Sequence, residues 1–146
     1  MPTAHDLRPL LDVQQNQLNL VFSDSDAIDS KALAVLGANV AILLFIDQAA
    51  PHLVLWKFLT LYGPFMLSLV MDVMSVWPRQ YKSAAPDLKK SPDYLTMDTG
   101  PLILQILSNT QAAIEHNARL NKKRLQACIV SILLTSLGFI GVLLIL

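Results

Sequence analysis

The chain is short of most of what enzymes and nucleic-acid binders use. Charged residues make up 15% of its 146 positions, against about 25% in an average soluble domain. Lys and Arg number 11 and Asp and Glu number 11, so the formal net charge is zero and no global field gathers nucleic acid. There is one cysteine, Cys128, which excludes a disulfide within the chain. No HExxH, GxSxG, Walker A or GxGxxG pattern occurs, and no Cys/His cluster. No catalytic residue, cofactor or metal is therefore expected. An intramembrane aspartyl mechanism needs two facing carboxylates, and Asp47 and Asp72 fall near opposite leaflets. The first 31 residues carry Asp6, Asp12, Asp24, Asp26 and Asp29 and no apolar core, so no secretory signal is expected there.

What is abundant is apolar sequence, 53% of the chain. The stretch from Ala127 to Leu146 has neither charge nor proline. As a helix it covers about 30 Å, the hydrocarbon thickness of a bilayer. Two further segments qualify as spans: residues 32 to 47, after Lys31, and residues 53 to 77. The first is short, and Lys31 can lengthen it by snorkelling. Trp56 and Trp77 lie about 31 Å apart along a helix, which suits opposite interfaces. The expected fold is all-α: a single integral-membrane helical bundle over residues 1 to 146, with three transmembrane helices and a cytoplasmic helical stalk. Residues 1 to 31 and 78 to 126 supply the stalk.

The connection between spans one and two is short, so they form an antiparallel hairpin. The second connection carries Arg79, Lys82, Lys89, Lys90, Arg119, Lys122, Lys123 and Arg124, eight of the eleven basic residues. The positive-inside rule places it, and with it the amino terminus, in the cytoplasm. A multi-pass protein of the bacterial inner membrane is expected. Residues 7 to about 30 read as mostly helical, with Leu10, Leu11, Leu18, Val21 and Phe22 at roughly helical spacing. Ser23 to Asp29 either breaks that helix or continues it into span one. Residues 83 to 100 read as a loop. Asp98 or Thr99, followed by Pro101, starts a helix that nothing interrupts afterwards. Its apolar stripe is read as Ile103, Leu107, Ile114, Ala118 and Leu125, with an 11-residue repeat that suits straight packing.

Candidate functional residues lie in three groups. Asn39, Ser68 and Asp72 are polar residues inside spans and are candidates to line or gate a path. Asp72, about 7 Å from the interface marked by Trp77, has a second reading as an interfacial carboxylate that reaches headgroup water or pairs with Arg79 or Lys82. Asn39 either hydrogen-bonds across helices or lines a lumen. Arg79, Lys82, Lys89, Lys90 and Tyr94, basic and aromatic together, are candidates for an anionic headgroup or a nucleotide; their other reading is positive-inside anchoring. Gly37 and Ala41, with Ala34 and Ala38, form a small-residue stripe on span one, and Gly138 and Gly141, with Ser131 and Thr135, do the same on span three. Both suit close bundle or oligomer packing. Gly63-Pro64 should kink span two. Asp47, His52 and Lys57 read as a solvated turn.

Asp29-Ser30-Lys31-Ala32 entering a Leu- and Gly-containing span, and the later run Ala113-Ile114 through Asn117 to Lys122-Lys123 entering a final span, carry a resemblance. In this order of helix, hairpin, basic segment, helix and span, the chain resembles the small multi-span membrane effectors of Pycsar antiphage systems. The resemblance implies a homo-oligomer that compromises the inner membrane after a cyclic nucleotide signal. The sequence contains no recognisable cyclic-nucleotide-binding domain, so the ligand would bind the cytoplasmic helices and loop, or a cytoplasmic protein partner would sense it. The other function class is a membrane scaffold whose stalk docks another protein. Three spans cannot enclose a wide pore alone, so a channel requires oligomerisation.

Overall fold

The computed structural model describes residues 4 to 49, 55 to 83 and 98 to 145. All regular structure among them is α-helical: α1 Ala4–Ala49, α2 Leu55–Val76 and α3 Thr99–Ile145. Three stretches within these helices are long and apolar enough to cross a bilayer, Leu7–Gln48, Leu59–Val76 and Thr99–Leu144. The protein is a multi-pass, all-α membrane protein. Helix α1 runs unbroken through Ser23 to Asp29, which settles the open question at that junction. At 46 residues it is about 69 Å long. Helix α3 opens where Asp98 offers its carbonyl to the N–H of Leu102 at 3.1 Å, the N-cap position. Helix α2 stays one helix through Pro64, although that residue has no N–H to give the carbonyl of Thr60.

The chain divides into two compact units. One is built from Met1–Ser25 and Arg79–Asn121, the other from Asp26–Pro78 and Lys122–Leu146. The second unit, called here the membrane unit, is apolar outside and polar inside. Leu33, Phe45, Leu67, Val70, Leu133, Leu137 and Leu143 are exposed, while Asn39, Ser68, Asp72, Ser75 and Ser131 are wholly buried. In water that arrangement would be unstable, because burial of apolar surface is the main stabilising term. In lipid it costs the exterior nothing, since acyl chains are as apolar as leucine.

Most of the buried positions recur every seven residues. On α1 these are Leu18, Ser25, Ala32, Asn39 and Ile46, with Leu7 and Ile28 buried outside the series; on α2 Leu61, Ser68 and Ser75, with Phe65 and Asp72 between; on α3 Ile103, Thr110, Asn117, Arg124, Ser131 and Gly138, with Ala113, Asn121, Cys128 and Val142 beside them. A strict seven-residue seam is the pattern of left-handed supercoiled packing. This corrects the 11-residue stripe on α3. Ile103 is buried as expected, but Ala118 and Leu125 are exposed. The seam was hidden because most of its residues are polar, and a search for apolar residues passes over them.

One end of the membrane unit is a conventional apolar core of Ile46, Leu61, Phe65 and Val142, with Ile42, Leu43 and Tyr62 packed on it. Gly138 is part of its design. A methyl group on Gly138 would stand 2.8 Å from the Phe65 ring, which is itself fully buried. Close approach of α2 and α3 here requires glycine, as read from the sequence. Gly141 is looser: its nearest neighbour would be the Thr60 carbonyl at 3.9 Å. Gly37 is different. Nothing lies within 4 Å of its added Cβ, and Ala34, Ala38 and Ala41 are exposed with it. Within the described residues the span-one stripe packs against nothing, so bundle packing inside the chain is not its role.

Candidate functional site

The Phe65 core gives way, one turn along α2, to a layer of hydrogen-bonded polar side chains from all three helices. Asn39 supplies its centre. Its Nδ2 donates to Ser68 Oγ at 2.7 Å and to Asp72 Oδ2 at 3.1 Å. Its Oδ1 accepts from Thr135 Oγ1 at 2.8 Å. Ser68 Oγ also meets Ser131 Oγ at 2.6 Å and Thr135 Oγ1 at 2.8 Å, and donates to the Ser131 carbonyl at 3.0 Å. The three candidates Asn39, Ser68 and Asp72 are thus brought together. Asn39 takes the cross-helix role of its two readings. Ser131 and Thr135, read from sequence only as small packing residues, belong to the same layer; their spacing of seven from Arg124 and Cys128 was the available signal.

Asp72 is the anomaly. Its side chain is fully buried, and the groups beside its carboxylate are the Asn39 amide and the Ser131 hydroxyl, not a cation. This overturns the interfacial reading, in which the carboxylate reached headgroup water or paired with Arg79 or Lys82. One carboxylate oxygen, Oδ1, is buried with no hydrogen-bond partner at all. Leaving a charged oxygen without a partner inside a membrane protein costs several kcal/mol.

Further along the seam sits a second buried polar group. Arg124 is 3% exposed and pairs with the carboxylate of Asp29. Its Nε donates to the Ser75 carbonyl at 2.6 Å, and Ser75 Oγ donates to the Arg124 carbonyl at 3.2 Å. Arg124 was counted only as one of the positive-inside residues; its place on the seven-residue seam marks it as internal. This pair stitches α1, α2 and α3 at one position.

The first unit has its own polar contacts. Asn117 Oδ1 accepts the backbone N–H of Lys82 at 2.9 Å, and its Nδ2 donates to the Lys82 carbonyl at 3.0 Å. Tyr81 donates its hydroxyl to Asn121 Oδ1 at 2.7 Å and lies 2.8 Å from Ser25 Oγ. Asn121 Nδ2 donates to the Val21 carbonyl at 2.7 Å. Phe22 meets the Tyr81 ring edge-on, centroids 5.9 Å apart. The chain after α2 is therefore held on the two long helices by paired amides. Beside these contacts lies a cleft of about 310 Å³ lined by Gln15, Leu18, Asn19, Phe22, Tyr81, Lys82 and Ser83. Of the ligand candidates, Lys82 lines it and Arg79 is exposed outside the lining. Lys89, Lys90 and Tyr94 lie outside the described residues, as do His52 and the side chains of Trp56 and Lys57. Among the described residues no three His, Cys, Asp or Glu converge as metal ligands.

No protein-family model matches the chain, no curated protein matches it in sequence, and no solved structure matches its fold.

Proposed function

We propose that this chain is a non-catalytic protein of the bacterial inner membrane that assembles into a homo-oligomer and permeabilises the bilayer. The observation that carries this reading is the buried layer of Asn39, Ser68, Asp72, Ser131 and Thr135 inside a unit whose exterior is apolar. Stability alone does not call for such a layer, because apolar side chains of the same volume would pack there without an unpaired carboxylate oxygen. Polar and ionisable residues inside membrane bundles mark paths and gates for charge. The exposed face of Ala34, Gly37, Ala38 and Ala41 is the kind of surface through which identical helices approach closely, and it favours assembly of copies. Exposed Arg119, Lys122 and Lys123 precede the apolar part of α3 and favour a cytoplasmic amino terminus.

The trigger we propose is a cyclic nucleotide, in line with the resemblance to Pycsar effectors and an antiphage role. The cleft at Phe22, Tyr81 and Lys82 has what a mononucleotide uses: aromatic surface for the base, a cation for the phosphate, and amides in Gln15 and Asn19 for the base edge. Reconstituted protein should release an ion gradient from liposomes in the presence of a cyclic nucleotide, and Asn39→Leu should abolish the release. Silent liposomes with correctly folded, oligomeric protein would refute the proposal.

A second reading has its own observation. Leu10, Val13 and Leu20 are more than half exposed along one side of α1. A scaffold that docks a cytoplasmic protein would use such a stripe. In that case Leu10→Ser, Val13→Ser and Leu20→Ser together abolish the cellular phenotype, while Asn39→Leu leaves it intact.

A further inference from the structure

The buried layer has one negative group and no positive one. Asp72 is fully buried, and the groups that face its carboxylate are neutral: the amide of Asn39, which donates to Oδ2, and the hydroxyl of Ser131. The titratable groups around it are accounted for on every helix. On α1, Asp29 is bound to Arg124, and Lys31 is exposed. On α2 the nearest titratable group toward the other end is Tyr62, ten residues away. On α3, Cys128 is buried beside Asp72 and carries no positive charge, and Arg124 is committed to Asp29 and the Ser75 carbonyl.

A proton would neutralise the group but leave Oδ1 unpaired whichever oxygen carried it, as a hydroxyl with no acceptor or as a carbonyl with no donor. The rest of the layer offers a better match. Ser68 Oγ lies 2.6 to 3.0 Å from Ser131 Oγ, Thr135 Oγ1 and the Ser131 carbonyl, and Thr135 Oγ1 lies 3.0 Å from that carbonyl. The Ser131 hydroxyl also lies beside the Asp72 carboxyl. Each hydroxyl can rotate its proton outward and present a lone pair. Hard oxygen ligands with a single carboxylate suit a hard ion of one positive charge, since a divalent ion would leave a net charge buried among lipid-facing helices.

We infer that the Asp72 layer is a binding site for one small monovalent cation of the Na⁺ or Li⁺ class, with the Asp72 carboxylate as counter-charge and the hydroxyls of Ser68, Ser131 and Thr135 as neutral ligands. The inference deepens the permeation reading by naming the charge the layer handles, and it rests on that reading only in taking the layer as the working part. Binding of the ion pairs Oδ1 and draws the three helices onto one point. Neutral replacement of Asp72 removes the counter-charge without changing its shape.

The test is the thermal unfolding of full-length protein in nanodiscs at one fixed pH, in NaCl, LiCl or choline chloride at equal ionic strength. An ion that binds only the folded state stabilises it by mass action. The midpoint is expected about 5 °C or more higher in NaCl than in choline chloride. Asp72→Asn should fold, keep its helix content and lose the difference entirely. Ser131→Ala should retain part of it at higher salt. Equal midpoints for the wild type in all three salts would overturn the site. So would a difference that persists in Asp72→Asn, a response to Mg²⁺ or Ca²⁺ in place of Na⁺, or a response to pH with none to Na⁺. A Na⁺-dependent midpoint together with silent liposomes would sink the permeation reading and leave the site standing. Leaky liposomes with no Na⁺ dependence would do the reverse.

Discussion

Two buried networks, one in each unit, end differently. In the unit of Met1–Ser25 and Arg79–Asn121, the amides of Asn117 and Asn121 close on backbone and on Tyr81, and Gln14 Oε1, outside that network, is buried without a partner. Asn117 takes both the N–H and the carbonyl of Lys82, and Asn121 takes Tyr81 and Val21. These bonds fix a segment that has no helical bonds of its own, from Arg79 to Ser83. In the membrane unit, the amide of Asn39 feeds a layer that ends on Asp72 Oδ1, an atom with no partner. Satisfied polar networks specify a structure, and unsatisfied ones are kept where something else arrives. On that ground the first set is structural and the second is functional, although both are equally buried amides at seam positions.

The comparison breaks most severely at Arg124, a buried polar group of the membrane unit that closes on a side chain and on backbone as Asn121 does. Arg124→Met removes the partner of Asp29 and the donor to Ser75 while keeping much of the apolar stem. Breaking a buried pair costs about 3–5 kcal/mol when the remaining charge is sealed in. Asp29 is 39% exposed, so water recovers part of that, and about 2–3 kcal/mol is expected. Unfolding in SDS, followed by circular dichroism, should show the midpoint moving well below wild type. A midpoint within error of wild type would mean that the three helices do not depend on this stitch.

Asn117→Ala should cost somewhat less, about 2 kcal/mol, because both Lys82 backbone groups lose their partner and only partly regain water. Lys82 is exposed, which makes its N–H readable by hydrogen exchange. Exchange at the Lys82 amide is expected to accelerate by at least about tenfold, which corresponds to 1.4 kcal/mol. The same experiment at Asp72 should give the opposite sign. Asp72→Asn removes an unpaired buried charge and keeps the volume, so stability in choline chloride should be unchanged or higher by up to about 1 kcal/mol. A marked loss of stability would show Asp72 to be a structural partner like Asn117, and the distinction between the two networks would fall.

Much of this was legible beforehand, for physical reasons that differ by element. The three spans follow from length and apolarity, which a bilayer reads directly. Gly138 was legible because small residues at a four- or seven-residue spacing matter only where backbones meet. Asn39, Ser68 and Asp72 stood out because polar side chains in spans are expensive. Their assembly into one layer was not legible, since it depends on the relative register of three helices. Nor was the internal place of Arg124 and Asn117. Both looked like the polar surface of a stalk helix, because in this chain the buried seam is itself polar and the usual signal of a core, apolar periodicity, is inverted. Gly37 kept one of its two readings: it faces open space within the chain, so its packing-motif spacing serves no contact inside the bundle and leaves packing between copies as its use.

The smallest effect on stability, and the one that sharpens the difference between inner and outer faces, is expected at that glycine. Gly37→Leu places a side chain where no atom lies within 4 Å, so unfolding should shift by no more than about 0.5 kcal/mol; a gain in helix propensity offsets any loss. Its effect should appear only in assembly. If Ala34, Gly37, Ala38 and Ala41 form the face on which copies meet, the leucine holds the backbones apart, and native mass spectrometry of nanodisc-solubilised protein should show the oligomer replaced by smaller species. A control at Leu133, exposed on α3 away from that stripe, separates the two causes. Leu133→Ala should leave the assembly intact. If Gly37→Leu leaves the mass unchanged while the wild type is oligomeric, the copies meet elsewhere. The open groove of Leu59, Thr60, Pro64, Leu137, Ile140, Gly141 and Leu144, about 380 Å³ between α2 and α3, is then the face to substitute next.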